Sequence, residues 1–293
     1  MEPRVIVVVS DQHCGSQLGL VTPEGVQTSD NNWFKPGPEL RWLWGQHQNY
    51  IDDAERVIKK WRKKGATAHY INLGDLTDNF HHRTHQVISV DQGTHIAAAR
   101  NVLVDGFLRL GFDTLHFVMG TPAHVGAGGG LEKGIARNIE DAGYPVVRCP
   151  WNGHTIWPYL YAQLGAYRFD FKHHGRTGQR EHTRKSYQAL YAYDIYGSHA
   201  NEGRRPPDVS FRAHKHKMND SGPDLRGITR VVSTGCWQFS SEWVASKSIE
   251  TRPDFGGWIA VVTDEMRRPY DLWLRPFLYN PEPDDHEAEV WTP

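Results

Sequence analysis

Hydrophobic positions along the chain form short unbroken runs and longer helical repeats, and the two patterns alternate. The first run, residues 4–10 (RVIVVVS), has no polar alternation and predicts a central strand covered on both faces. It stops abruptly at Asp11, with His13 two positions later. Residues 15–38 are rich in Gly, Pro and Asn and predict a long loop. From 39 to 65, Leu40, Leu43, Trp44, Tyr50, Ile51, Ala54, Val57, Ile58 and Trp61 recur at helical spacing. A Lys/Arg-rich last turn and Gly65 close that helix. Residues 68–75 predict a second buried strand ending in Asp75, 91–110 a second helix, and 114–120 a third strand.

The second half is richer in strands. Residues 157–174 predict a hairpin turning near Leu164 and Gly165. A helix is expected over 187–196, and strands over 209–213, 229–233, 258–263 and 272–278. Alternating strands and helices predict an α/β fold with a second sheet packed on the first. Ligands of such sheets bind outside the carboxyl ends of the strands, where the polar stops gather. Residues 280–293 form an acidic, Pro-containing tail.

Composition narrows the reading. Across 293 residues, 33 Lys+Arg face 34 Asp+Glu, which argues against a protein that coats nucleic acid by bulk charge and leaves room for a local basic patch. Three scattered cysteines indicate no disulfide framework and suit a reducing, cytoplasmic setting. No segment approaches the ~20 apolar residues that span a bilayer. The 17 histidines change the picture most, because imidazole is the commonest metal ligand.

Candidate ligands stand at five strand ends or loops: Asp11 and His13; Asp75 with Asp78 and Asn79; His124; His173 and His174; His214 and His216. In extended chain, residues two apart point to the same side, so Asp11/His13 and His214/His216 are each expected to converge on one point. A bound cation offsets the cost of gathering carboxylates and imidazoles. Mixed oxygen and nitrogen donors suit Mn, Fe, Zn or Ni better than Ca.

The stretches SDQHCG (10–15), LGDLTDN (73–79), MGTPAHVG (119–126), FKHHG (171–175) and FRAHKHK (211–217), in this order, resemble the motifs of the calcineurin-like metallophosphoesterases. Together with GCWQ, they look most like uncharacterised members carried by tailed bacteriophages, for which the setting would be the host cytoplasm. The resemblance implies two packed β-sheets flanked by helices, a four-layer αββα sandwich, in a single domain over 1–279 followed by the tail. It implies two divalent metal ions, Mn favoured: Asp11 and His13 on the first, Asp75 bridging, His173 or His174 with His214 on the second, and His216 returning to the first. A hydroxide held between the metals would attack phosphorus, with His124 as general acid. The family's third motif is G-N-H, whose Asn holds the second metal. Here Thr121 stands in its place and the histidine is displaced, so occupancy of the second site is open. The usual G-H-x-H begins here with Ala213.

The remaining expectations are subordinate. Arg176, Arg180 and Arg184 follow a ligand histidine and are candidates for binding phosphate oxygens, weighed evenly against a solvated loop. Trp33 and Trp237 are candidates for stacking a base; His81, His82 and His85 border the cleft; Cys14 is read as a small residue in a tight turn. The expected activity is hydrolysis of a phosphodiester or phosphomonoester, with a nucleic acid or nucleotide favoured. The alternatives are a protein phosphatase and a scaffold module on the same fold.

Overall fold

The structure, a computed structural model, describes residues 2–81, 84–176, 183–222, 229–246, 252–263, 265 and 271–281. In chain order the strands are β1 (Arg4–Val9), β2 (Val26–Gln27), β3 (Trp33–Phe34), β4 (Thr67–Asn72), β5 (Thr114–Val118), β6 (Ile156–Trp157), β7 (Leu160–Leu164), β8 (Tyr167–His174), β9 (Val209–Ala213), β10 (Asn219–Asp220), β11 (Arg230–Ser233), β12 (Gly256–Val262) and β13 (Trp273–Leu278). The helices are α1 (Pro38–Arg62), α2 (Gln92–Asp105), α3 (Pro122–Val125), α4 (Gly130–Asp141), α5 (Arg184–Asn201) and α6 (Glu242–Ser246).

One sheet runs in the order β13-β12-β1-β4-β5-β6 and another in the order β10-β11-β9-β8-β7. β1, β4, β5 and β6 are mutually parallel, so their carboxyl ends share a rim. β8, β9 and β11 do the same in the second sheet. The unbroken apolar run of β1 has the predicted consequence. Val5, Val7 and Val9 pack with α1 and α2 residues such as Tyr50, Ile51 and Val102. Ile6 and Val8 face the other way, into a core between the sheets with Phe169, Phe171 and Phe211. Ala192 and Ile195 of α5 cover the outer side of the second sheet at Val231. The result is a mixed α/β fold of two packed sheets flanked by helices, as expected.

α1 follows its pattern, with Pro38 in the first turn and Lys59, Lys60 and Arg62 in the last. Asp91 caps α2 by accepting from Thr94 N at 2.9 Å. The β7–β8 hairpin turns through Gly165 with φ +64°, where glycine carries no steric penalty. Four differences stand out. The 15–38 loop contains the small β2–β3 hairpin. α2 stops at Asp105 and a separate 3₁₀ turn covers Phe107–Leu110. α5 is longer than its apolar pattern predicts. α4 was not expected at all, because the glycines at 126, 128, 129 and 130 obscure the helical spacing of Leu131, Ile135, Ala136 and Ile139. Most of the acidic tail, 282–293, lies outside the described residues.

Candidate metal centre

Four loops, after β1, β4, β5 and β9, and the end of β8 deliver the ligand candidates. Asp11, His13, Asp75, Asn79, His214 and His216 all have positive φ, between 46° and 73°. Such a backbone is uncommon outside glycine and costs on the order of 1–3 kcal/mol at each strained residue. It persists here because the surroundings fix it: Asp11 N donates to Gly74 O at 2.9 Å, and His13 N to Asp75 O at 3.0 Å. Gly74 and Gly120 meet backbone to backbone under Asp75. A Cβ on Gly120 would stand 2.2 Å from Asp75 N.

Two main clusters result, and His13, Asp78 and His124 form a further group at ligand distance beside the first. In the first, Asp11, His13 and His216 meet: Asp11 Oδ1 lies 3.3 Å from His216 Nε2 and 3.8 Å from His13 Nε2. The two Nε2 atoms are 3.2 Å apart, and buried Asp11 Oδ1 makes no hydrogen bond. His13 is oriented from behind, its Nδ1 2.8 Å from Asp78 Oδ1. In the second, His173, His174 and His214 meet, with Asp75 Oδ2 2.9 Å from His173 Nε2 and 4.0 Å from His214 Nδ1. His173 Nδ1 donates to Leu73 O at 2.7 Å, which turns Nε2 toward the cluster. Asp11, Asp75 and His173 also share ligand distance, joining the clusters.

Thr121 lies in the middle of the second cluster. Its hydroxyl donates to Asp75 Oδ2 at 3.0 Å and stands 3.1, 3.4 and 3.2 Å from nitrogens of His173, His174 and His214. His124 lies beside the first cluster, its Nδ1 3.1 Å from Asp78 Oδ1 and its ring edge-on to His13 at 4.7 Å. His81 adjoins it, with ring centroids 4.3 Å apart and Nε2 3.6 Å from Asp78 Oδ1.

Two sequence expectations, for the His214/His216 pair and for Trp237, need correction. His214 and His216 do not converge on one point; left-handed backbone at both residues sends them to different clusters, overriding strand alternation. Asn79 braces the loop by donating its side-chain amide to Ala123 O at 3.3 Å. Trp237 is fully buried and stacks on Tyr50 at 6.0 Å, so it offers no face to a base. Cys14 is buried, belongs to none of the clusters, and burial drives its thiol pKa well up. The Arg176 guanidinium is exposed and pairs with Asp194 of α5 at 3.2 Å. Arg180 and His82, and the side chain of Arg184, lie outside the described residues.

Glu132 of α4 was missed. Fully buried, it accepts from Leu76 N at 3.2 Å and Gly120 N at 2.9 Å, clamping the loops that follow β4 and β5. Burial pushes its carboxyl up to about 7. A glutamate opening an apolar-periodic segment was the available signal.

The electrostatics are those of a site short of positive charge. Burial alone would raise the carboxyls of Asp11, Asp75 and Asp78, yet the surrounding imidazoles hold all three below the ordinary range. Burial would lower His13 and His173, but the facing carboxylates push both up to about 9. Protons on the imidazoles thus supply charge that a cation would supply when bound. An orphaned carboxylate oxygen facing two imidazole nitrogens, with mixed N/O donors throughout, fits a divalent transition metal.

No family model and no curated protein matches the sequence. Among solved structures, the chain is similar to Vacuolar Protein Sorting 29 from Cryptosporidium parvum at 10% identity and TM-score 0.42, covering 96% of this chain and 100% of that one. It is similar to a metallophosphoesterase from Sphaerobacter thermophilus at 9% identity and TM-score 0.33, covering 94% and 89%. It is also similar to the sulfate thiohydrolase SoxB from Thermus thermophilus at 11% identity and TM-score 0.42, covering 94% of this chain and 56% of that one.

Proposed function

We propose that the chain is a metal-dependent phosphoesterase. The observation that carries this reading is the pair of clusters joined through Asp11, Asp75 and His173, with a buried carboxylate oxygen at one of them that faces two imidazoles and makes no hydrogen bond. Asp11, His13 and His216 would hold one divalent ion. His173, His174 and His214 would hold the other, with Asp75 shared. When bound, such ions acidify water and neutralise phosphoryl oxygens.

The chain's own groups do the rest. Asp78 fixes the His13 ring and accepts from His124 Nδ1–H, so it is the doubly protonated His124 ring that would give its Nε2 proton to the departing oxygen, with Asp78 opposing the burial that disfavours that form. Thr121 steadies Asp75 through its hydroxyl and its backbone N–H, the latter at 2.6 Å. The substrate we favour is a phosphodiester of a nucleic acid or nucleotide, and the metal manganese.

The test is hydrolysis of a chromogenic aryl phosphodiester with added Mn. Activity that disappears with chelator and in Asp75→Asn supports the reading. Metal bound at both clusters with no hydrolysis of any phosphoester would assign the chain to the scaffold class instead.

A further inference from the structure

Away from the metal centre, the outer edge of the second sheet carries a line of exposed rings. Trp151 is 58% exposed, Tyr159 40% and Tyr161 37%. Their rings follow one another at 5.0 and 6.0 Å, and Tyr161 continues to the His199 ring at 6.1 Å. Lys172 stands over both tyrosines, 5.3 Å from the Tyr159 ring and 5.8 Å from Tyr161. Beyond them the line opens into a hollow of about 620 Å³ lined by Tyr161, Gln163, Arg168, His199, Arg204 and Arg205.

The line meets the site only at the carboxyl end of β8. Arg168 and Lys172 stand on the outer face of that strand, whereas Phe169, Phe171 and His173 point to the other, toward the first sheet. At about 3.3 Å per residue, Arg168 to Lys172 is roughly 13 Å of track ending beside the last turn of the strand. Gln163 pairs with Arg168 and Tyr161 with Asp170 across the hairpin, so rings and cations share one face.

Charge favours a polyanion. Buried Arg212 and buried Asp170 neutralise each other. Outside that pair, four cations, Lys172, Arg168, Arg204 and Arg205, face two acids, Glu202 and Asp208, which pair with Arg204 and Arg205. A row of partly exposed rings with cations alongside matches an occupant that alternates π-faces with phosphates. A duplex hides its base faces; an unpaired strand offers them.

We propose that this edge is a binding track for single-stranded nucleic acid, with bases on Trp151, Tyr159 and Tyr161 and phosphates on Lys172, Arg168 and Arg205. It deepens the phosphoesterase reading by naming an unpaired strand as substrate, and it is testable without catalysis. Anisotropy of a labelled oligo-dT or oligo-U is titrated with chelated Asp75→Asn protein, so nothing is cut. The expected result is binding with a log–log salt slope of about −2 to −3, from three or four phosphate contacts at ~0.7 each. Trp151→Ala and Tyr161→Ala should each weaken it about 5- to 100-fold, and Arg168→Glu by at least tenfold. The same sequence as a duplex should compete at least tenfold less well.

Circular dichroism and melting of each variant check folding, and Trp151, the most exposed of the three rings, gives the variant least able to disturb the core. Equal binding of duplex and single strand, or affinity indifferent to the aromatic substitutions, would overturn the proposal. So would concentration-dependent self-association lost in Tyr161→Ala, which would give the face to a second copy. Wild-type hydrolysis of the small aryl diester reports separately on the catalytic reading.

Discussion

Replacing Glu132 by Gln exchanges one oxygen for an amide nitrogen at nearly constant volume. The native carboxyl accepts from two backbone donors, Leu76 N–H and Gly120 N–H, and does so even when protonated, since its hydroxyl oxygen keeps a lone pair. Glutamine can accept from only one of them, and its NH₂ group then faces the other donor. An unsatisfied buried N–H costs about 1–3 kcal/mol. A second effect opposes this. Because burial raises the Glu132 carboxyl from 4.5 to about 7, the native state keeps a proton that the unfolded chain has released. The associated stability is full below about 4.5 and is lost as pH rises to about 7. At 1.36 kcal/mol per pKa unit, the loss between pH 5 and pH 8 is about 2–3 kcal/mol. Glutamine does not titrate. Urea unfolding of both proteins in chelator should therefore show wild type ahead by about 1–3 kcal/mol at pH 5. That lead should shrink or reverse by pH 8. Parallel stability–pH curves would refute the reasoning.

Three further outcomes can be checked. His124→Ala should slow esters with poor leaving groups at least tenfold more than activated aryl esters, whereas equal slowing would remove it from the proton-donor role. In the metal-free protein the raised imidazoles of His13 and His173 contribute stability in full below about 6.5, lost as pH rises through about 9. Metal loading must expel those protons, so acid release on adding Mn to weakly buffered protein at pH 7 should be measurable, and its absence would contradict the assignment. Thr121→Val keeps the shape but removes the hydroxyl shared among Asp75 and three histidines; calorimetry should find one of two cations weakened about 10–100-fold, and unchanged affinities would exclude Thr121 from supporting the second cluster.

The fold was legible where burial is complete. Residues 5–9 of β1 are fully buried on both faces, so an unbroken apolar run could mean little else. The ligand candidates were legible as polar stops at strand ends. Their distribution was not, because the division of His214 from His216 depends on backbone at φ +73° and +52° that no alternation rule anticipates. Trp237 misled because a tryptophan after a late strand reads the same whether it faces solvent or, as here, packs against His47 and Tyr50. Glu132 stayed hidden since its partners are backbone groups 56 and 12 residues away in sequence, which leave no side-chain signature.

The sharing of one H-x-H segment between two clusters has a mechanical corollary. With Lys215 as the sole spacer, one tripeptide places an imidazole in each cluster, so a shift of His214 is passed to His216 through two peptide bonds. Lengthening that spacer by one residue would spare every donor atom and still change how the two imidazoles are placed relative to each other.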